Sequence, residues 1–109
     1  LLDHTGGPNH VENFCFAPIH GDTRTGELIY TPTYYYIGHF SKFVRPEAQR
    51  VSTSSSRSFL LATSFVNTDN QMATIVMNHT DKPVNYNFFV GEGQTKLTIP
   101  PRAMQTLVY

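Results

Sequence analysis

The chain of 109 residues contains no tryptophan, one cysteine, and no excess of either charge, with eight Lys+Arg against eight Asp+Glu. Each shortage excludes something. A single cysteine, Cys15, forms no internal disulfide, so no covalent framework holds the fold. Zero net charge and only 15% charged residues argue against a nucleic-acid binder, because phosphate recognition needs a Lys/Arg surplus. No apolar run approaches the ~20 residues of a membrane-spanning helix. The chain opens Leu1-Leu2-Asp3-His4, without methionine or a signal-like segment, as an excised or processed piece does. What is present is 39% hydrophobic residues with seven Gly and seven Pro, the composition of a folded, loop-rich, β-rich segment.

The composition changes near residue 46. Residues 1–45 hold four of the five His, the one Cys and four of the six Tyr. Residues 4–18 read as loop, punctuated by Gly6-Gly7-Pro8-Asn9. Ile19 and Leu28-Ile29-Tyr30 flank the turn residues Asp22 to Gly26, which predicts a small hairpin. Residues 31–44 predict the one helix. Thr31 can cap it, Pro32 suits its first position, and Ile37, Phe40 and Val44 form an apolar stripe widened by Tyr34, Tyr36 and Phe43. Gly38 inside that helix implies a close packing partner. Pro46 ends it.

From residue 47 the hydrophobic period becomes two. Strands are predicted over Phe59–Val66 and Met72–Met77, with Asn67 to Asn70 as the turn between them. Val84, Tyr86, Phe88 and Val90 alternate as a half-buried strand. Short strands around Leu97 and Ile99 and over Met104–Tyr109 complete the series. Strands at about ten-residue spacing indicate an antiparallel sandwich.

Few residues here suggest chemistry on their own. His4, His10, Cys15, His20 and Asp22 lack metal-ligand spacings, so neither a metal nor another cofactor is expected, and the histidines read as loop residues, some bonded to backbone. Cys15 has no base beside it and reads as a buried structural thiol. Asn78-His79-Thr80 is a glycosylation sequon. Tyr34, Tyr35 and Tyr36 point in different helical directions and read mainly as packing residues. Glu12, Glu27, Glu47 and Glu92 are scattered over loops and turns, and no two form the carboxylate pair of a glycosidase. The chain by itself therefore does not read as an enzyme.

Two blocks carry a resemblance. Gly6-Gly7-Pro8-Asn9-His10-Val11, Asn13-Phe14-Cys15 and Ala17-Pro18-Ile19 form the first. Tyr34 to Phe43 followed by Arg45-Pro46 form the second. Together they resemble the C-terminal part of glycoside hydrolase family 30, the glucosylceramidase-like and β-1,6-glucanase-like enzymes. Ile99 to Thr106 resemble the family's last sandwich strands. The resemblance implies a mixed fold: residues 1–45 as the last loop and helix of a (β/α)8 TIM barrel, and residues 46–109 as an antiparallel all-β sandwich that also takes a strand from before the barrel. It implies an O-glycosyl hydrolase of carbohydrate or sphingolipid metabolism, with Asn13 and Phe14 at the sugar pocket. It places both catalytic glutamates upstream of Leu1, so no residue of this chain is expected to be catalytic. The expected partners are a β-glucoside and the N-terminal barrel of the same protein, in a secreted, periplasmic or lysosomal setting. His10, Cys15 and Phe16 depart from the glucosylceramidase pattern toward microbial members, so a β-1,6-glucan or another β-glucoside fits at least as well as a glucosylceramide. The competing expectation is a non-catalytic carbohydrate-binding or purely structural sandwich module, which the lack of tryptophan disfavours for sugar platforms.

Overall fold

The computed structural model describes residues 1–109 and divides into two compact units, Leu1–Gly38 and His39–Tyr109. In the first unit, strand β1 (Leu2–Asp3) runs parallel to β2 (Ile19–Gly21), which pairs antiparallel with β3 (Leu28–Tyr30). The predicted hairpin is present. Its turn is closed by the Asp22 N–H donating to the Glu27 carbonyl at 2.8 Å and the Gly26 N–H to the Asp22 carbonyl at 2.7 Å. Asn9–Val11 form one 3-10 turn inside the segment predicted as loop.

Helix α1 spans Pro32–Phe43. The Thr31 hydroxyl turns back to the carbonyls of Ala17 and Pro18, at 3.4 and 3.1 Å. No helix residue is buried, so the stripe of Ile37 and Phe40 lies largely open. Gly38 corrects an expectation: a Cβ added there meets nothing within 4 Å, so no close packing partner explains it.

The second unit is built on a four-stranded antiparallel sheet ordered β4 (Gln49–Val51), β5 (Leu60–Val66), β6 (Met72–Asn78) and β9 (Met104–Val108). A separate hairpin joins β7 (Val84–Val90) and β8 (Gly93–Ile99). The antiparallel register puts Phe65, Ala73, Ile75 and Thr106 on one face of the larger sheet, and Leu60, Ala62, Thr74 and Val76 on the other. The last turn of α1 meets the first face. Phe40 lies edge-on to Phe65 with centroids 6.4 Å apart, and His39 Nδ1 is 2.8 Å from the Thr106 hydroxyl. The β7–β8 hairpin meets the second face, where Leu60, Val76 and Ile99 form the core with Phe59, Ala62, Val84, Tyr86 and Ala103 around them. Both faces of β6 are thus covered, which is why its sequence is mostly apolar on both sides and does not alternate with exposed polar residues. The sandwich is only partly filled: a cavity of about 770 Å³ lies between the sheets, lined by Ala62, Thr74, Val76, Tyr86, Phe88 and the Ser52–Arg57 loop.

Asn78 closes one end of this core. The sequon reading gives way to a structural one, because the side chain is fully buried and its amide is in use. Nδ2 donates to the carbonyls of Lys82 at 2.7 Å and Pro100 at 2.9 Å. Oδ1 accepts from the Thr80 N–H at 2.9 Å and the Thr80 hydroxyl at 2.8 Å. No donor remains at the surface to carry a glycan. One side chain therefore joins the β6 end, the turn before β7 and the β8–β9 connection. Replacing it strands several buried groups, so Asn78→Ala is expected to lower stability by about 2–4 kcal/mol. An unchanged urea midpoint contradicts this.

Candidate functional site

The first unit has almost no apolar core, and hydrogen bonds shape it instead. Its buried residues are Gly6, Gly7, Ala17, His20 and Asp22. The Asp3 carboxylate accepts from the Thr5 N–H at 2.9 Å, the Thr5 hydroxyl at 2.6 Å and the Asn9 amide. Those bonds, Thr5's first and Asn9's next, hold its carboxyl below the usual carboxylate range. The Gly7–Pro8 bond is cis. Gly6 has φ +93°, and a Cβ there would sit 2.7 Å from the Cys15 carbonyl oxygen, so only glycine fits. The Gly7 N–H then donates to that same Cys15 carbonyl at 3.1 Å.

This contact presents Asn13 and Phe14 at the surface, side by side on the loop. Phe14 is 61% exposed, and Asn13 is exposed too. The Asn13 N–H donates to the Pro8 carbonyl at 3.3 Å, and its Oδ1 accepts from the Cys15 thiol at 3.0 Å. Cys15 is exposed, which corrects the expectation of a buried thiol. The reason is local: the loop has no packed apolar neighbours to cover it.

His20 lies beneath the loop. Its Nδ1 is 2.7 Å from the Asp3 carbonyl oxygen, and its Nε2 accepts the Ala17 N–H at 3.1 Å. The Phe16 ring stands 5.3 Å from the imidazole at 58°. The sequence grouped His20 with loop histidines bonded to backbone, and it is one. What was not legible is that the backbone it holds belongs to the loop of Asn13 and Phe14.

Beside it, Asp22 binds Arg24 in a fork: Nε to Oδ1 at 3.2 Å and Nη2 to Oδ2 at 3.1 Å, with the Arg24 N–H on Oδ1 at 2.9 Å. His4 Nδ1 is 3.9 Å from Oδ1. No three His, Cys, Asp or Glu side chains form a group able to hold a metal ion. Glu12, Glu27, Glu47 and Glu92 are all exposed, on loops and turns. On α1, Tyr35 is 61% exposed, and Tyr34 lies 4.8 Å from the Tyr30 ring and 5.3 Å from Tyr35.

The Arg24 hydrogen bonds bring the Asp22 carboxyl down from 3.8 to about 2. A depressed carboxyl stabilises the fold fully above its ordinary value, and that contribution disappears as pH falls through the folded value. Carboxyl NMR is expected to show an Asp22 midpoint near 2, moving up toward 3.8 in Arg24→Ala. A wild-type midpoint at 3.8 contradicts the fork.

The TIM-barrel domain of glycosyl hydrolase family 30 matches residues 1–44, and that family's beta sandwich domain matches residues 47–107. The lysosomal acid glucosylceramidase of Mus musculus is 36% identical over 84 residues, covering 76% of this chain and 16% of that protein. The putative glucosylceramidase 3 of Caenorhabditis elegans is 30% identical over 111 residues, covering 99% and 21%. Among solved structures, SrfJ from Salmonella typhimurium superposes with a TM-score of 0.94 at 35% identity, covering 99% of this chain and 24% of that one. The endo-beta1,6-glucanase BT3312 gives a TM-score of 0.81 at 25% identity, covering 96% and 24%. The chain spans about a fifth of the length of the curated relatives it matches.

Proposed function

This chain belongs to glycosyl hydrolase family 30, and on that premise we propose that it is the C-terminal portion of a retaining β-glycosidase. Residues 1–45 supply the last βα loop and helix of the barrel. Residues 46–109 supply most of the accessory sandwich. Barrel active sites lie at the C-terminal ends of the strands, in the βα loops. The loop of Asn13 and Phe14 occupies such a position in this reading.

The observation that supports the reading is the exposed Asn13–Phe14 pair on a loop fixed by the Gly7–Cys15 contact. Asn13 offers an amide able to donate to and accept from sugar hydroxyls. Phe14 offers an apolar wall for the C–H face of the ring. The balanced charge of the chain suits a neutral substrate. The relatives named glucosylceramidase and endo-beta1,6-glucanase support a β-glucosidic bond as the one cleaved.

The chemistry itself lies upstream in this account. A retaining enzyme places two carboxyl groups about 5–5.5 Å apart. One protonates the leaving oxygen; the other attacks the anomeric carbon and forms the glycosyl-enzyme that water then hydrolyses. The four glutamates of this chain are on exposed loops and turns and take neither part. The sandwich buries barrel surface, and an upstream strand fills the cavity between its sheets. A secreted, periplasmic or lysosomal setting accompanies this activity.

Two outcomes test the reading. The isolated chain is expected to show no hydrolysis of an aryl β-glucoside. In the intact enzyme, Asn13→Ala and Phe14→Ala are each expected to lower kcat/KM by about 10- to 100-fold, as loss of a substrate contact does. Turnover by the chain alone, or wild-type kcat/KM in both variants, overturns it.

A further inference from the structure

We propose that His20 is the positioning residue of the Asn13–Phe14 loop. This rests on the reading of that loop as part of the sugar pocket.

The geometry leaves the imidazole one state. The Asp3 carbonyl only accepts, so the Nδ1 that lies 2.7 Å from it carries the proton. The Ala17 N–H only donates, so the Nε2 it reaches at 3.1 Å is bare. A single neutral tautomer satisfies both bonds, and the reverse tautomer satisfies neither. His20 is 4% exposed, so water does not substitute for either partner.

These two bonds tie different pieces of chain together. Asp3 belongs to β1, His20 to the middle of β2, and Ala17 to the segment that leaves the loop. Two bonds reach back from other parts of the first unit to the backbone immediately after Phe14. One joins the Gly7 N–H to the Cys15 carbonyl at 3.1 Å. That contact is backbone to backbone. The other takes the Ala17 N–H, and its acceptor is a side chain. His20 is thus the side chain that takes the Ala17 backbone N–H, while the Thr31 hydroxyl holds the carbonyl side of the same stretch at Ala17 and Pro18. Its ring also faces Phe16 at 5.3 Å. An apolar residue at position 20 would pack in the same space but leave the Ala17 N–H without its acceptor. That amide would then seek another partner and move the loop.

The test uses two isosteric substitutions in the intact glycosidase, barrel included. Gln places an amide oxygen near the Nε2 position and keeps an acceptor for Ala17. Asn places its amide near Nδ1, keeps the Asp3 contact and leaves Ala17 without a partner. His20→Asn is expected to raise KM about tenfold with kcat within about twofold, a size consistent with small displacement of a substrate contact. His20→Gln is expected to hold KM within about threefold of wild type. Both are expected to lower Tm by similar amounts, which separates positioning from general stability. A KM that follows Tm across the pair, or a wild-type KM in His20→Asn, overturns the proposal. Asn13→Ala and Phe14→Ala run in parallel. If either lowers kcat/KM while the His20 pair does not split, the pocket reading stands and this inference falls. If Asn13→Ala and Phe14→Ala both keep wild-type kcat/KM, the pocket reading falls and takes this inference with it.

Discussion

The second unit depends on one constraint: β6 must be covered on both faces. Ala73, Thr74, Ile75 and Val76 are consecutive and all buried. A strand sends alternate side chains to opposite sides, so four consecutive buried residues require a layer on each side. The last turn of α1 supplies one layer, through Phe40 on Phe65 and His39 on Thr106. The β7–β8 hairpin supplies the other, through Ile99, Val84 and Tyr86. Polar groups trapped in between are matched to each other: the Ser64 and Thr74 hydroxyls are 2.7 Å apart, and Thr74 is 3.0 Å from the Tyr109 hydroxyl. The Asn67 side chain fixes where the helix ends, donating to the Phe43 carbonyl at 3.0 Å and accepting the Arg45 N–H at 3.0 Å. Asn78 performs the corresponding task at the far end of β6.

The first unit works by different physics. It has too little apolar surface to bury, and directional bonds set its shape. Asp3 gathers Thr5 and Asn9, Asp22 gathers Arg24, and His20 joins Asp3 to Ala17. Such a framework suits a segment that presents side chains to a ligand. A packed core would bury Asn13 and Phe14, whereas a hydrogen-bonded loop holds them outward. The open apolar stripe on α1 follows the same division: Ile37 is 49% exposed and Phe40 37%. By the proposed reading, barrel surface covers it.

Legibility from the sequence followed the strength of the periodic signal. β5, β6, β7 and β9 were readable because each carries several apolar side chains at strand spacing. β8 was read only around Leu97 and Ile99, since Gly93 to Lys96 are exposed on both faces and leave no hydrophobic trace. β1 and β4 are two and three residues long, too short for any period. The family was legible in two blocks, Gly6 to Ile19 and Tyr34 to Pro46, whose runs of specific residue types carry more than hydrophobic period does. Cys15 and Gly38 were misread for one reason. Thiol burial and helix-glycine packing are averages over many proteins, and each was overridden by the immediate neighbours. His20 was invisible as a positioning residue because its partners, Asp3 and Ala17, contribute only backbone groups, which carry no sequence signature.

The central claim is that these residues complete a barrel whose catalytic carboxylates lie on the preceding polypeptide. Its most direct test is complementation between the separately produced upstream polypeptide and this chain, read as hydrolysis of an aryl β-glucoside. The account predicts turnover only when the two are combined, and none from either alone. Equal turnover by the upstream polypeptide alone, or a stable but inactive complex of the two, contradicts it.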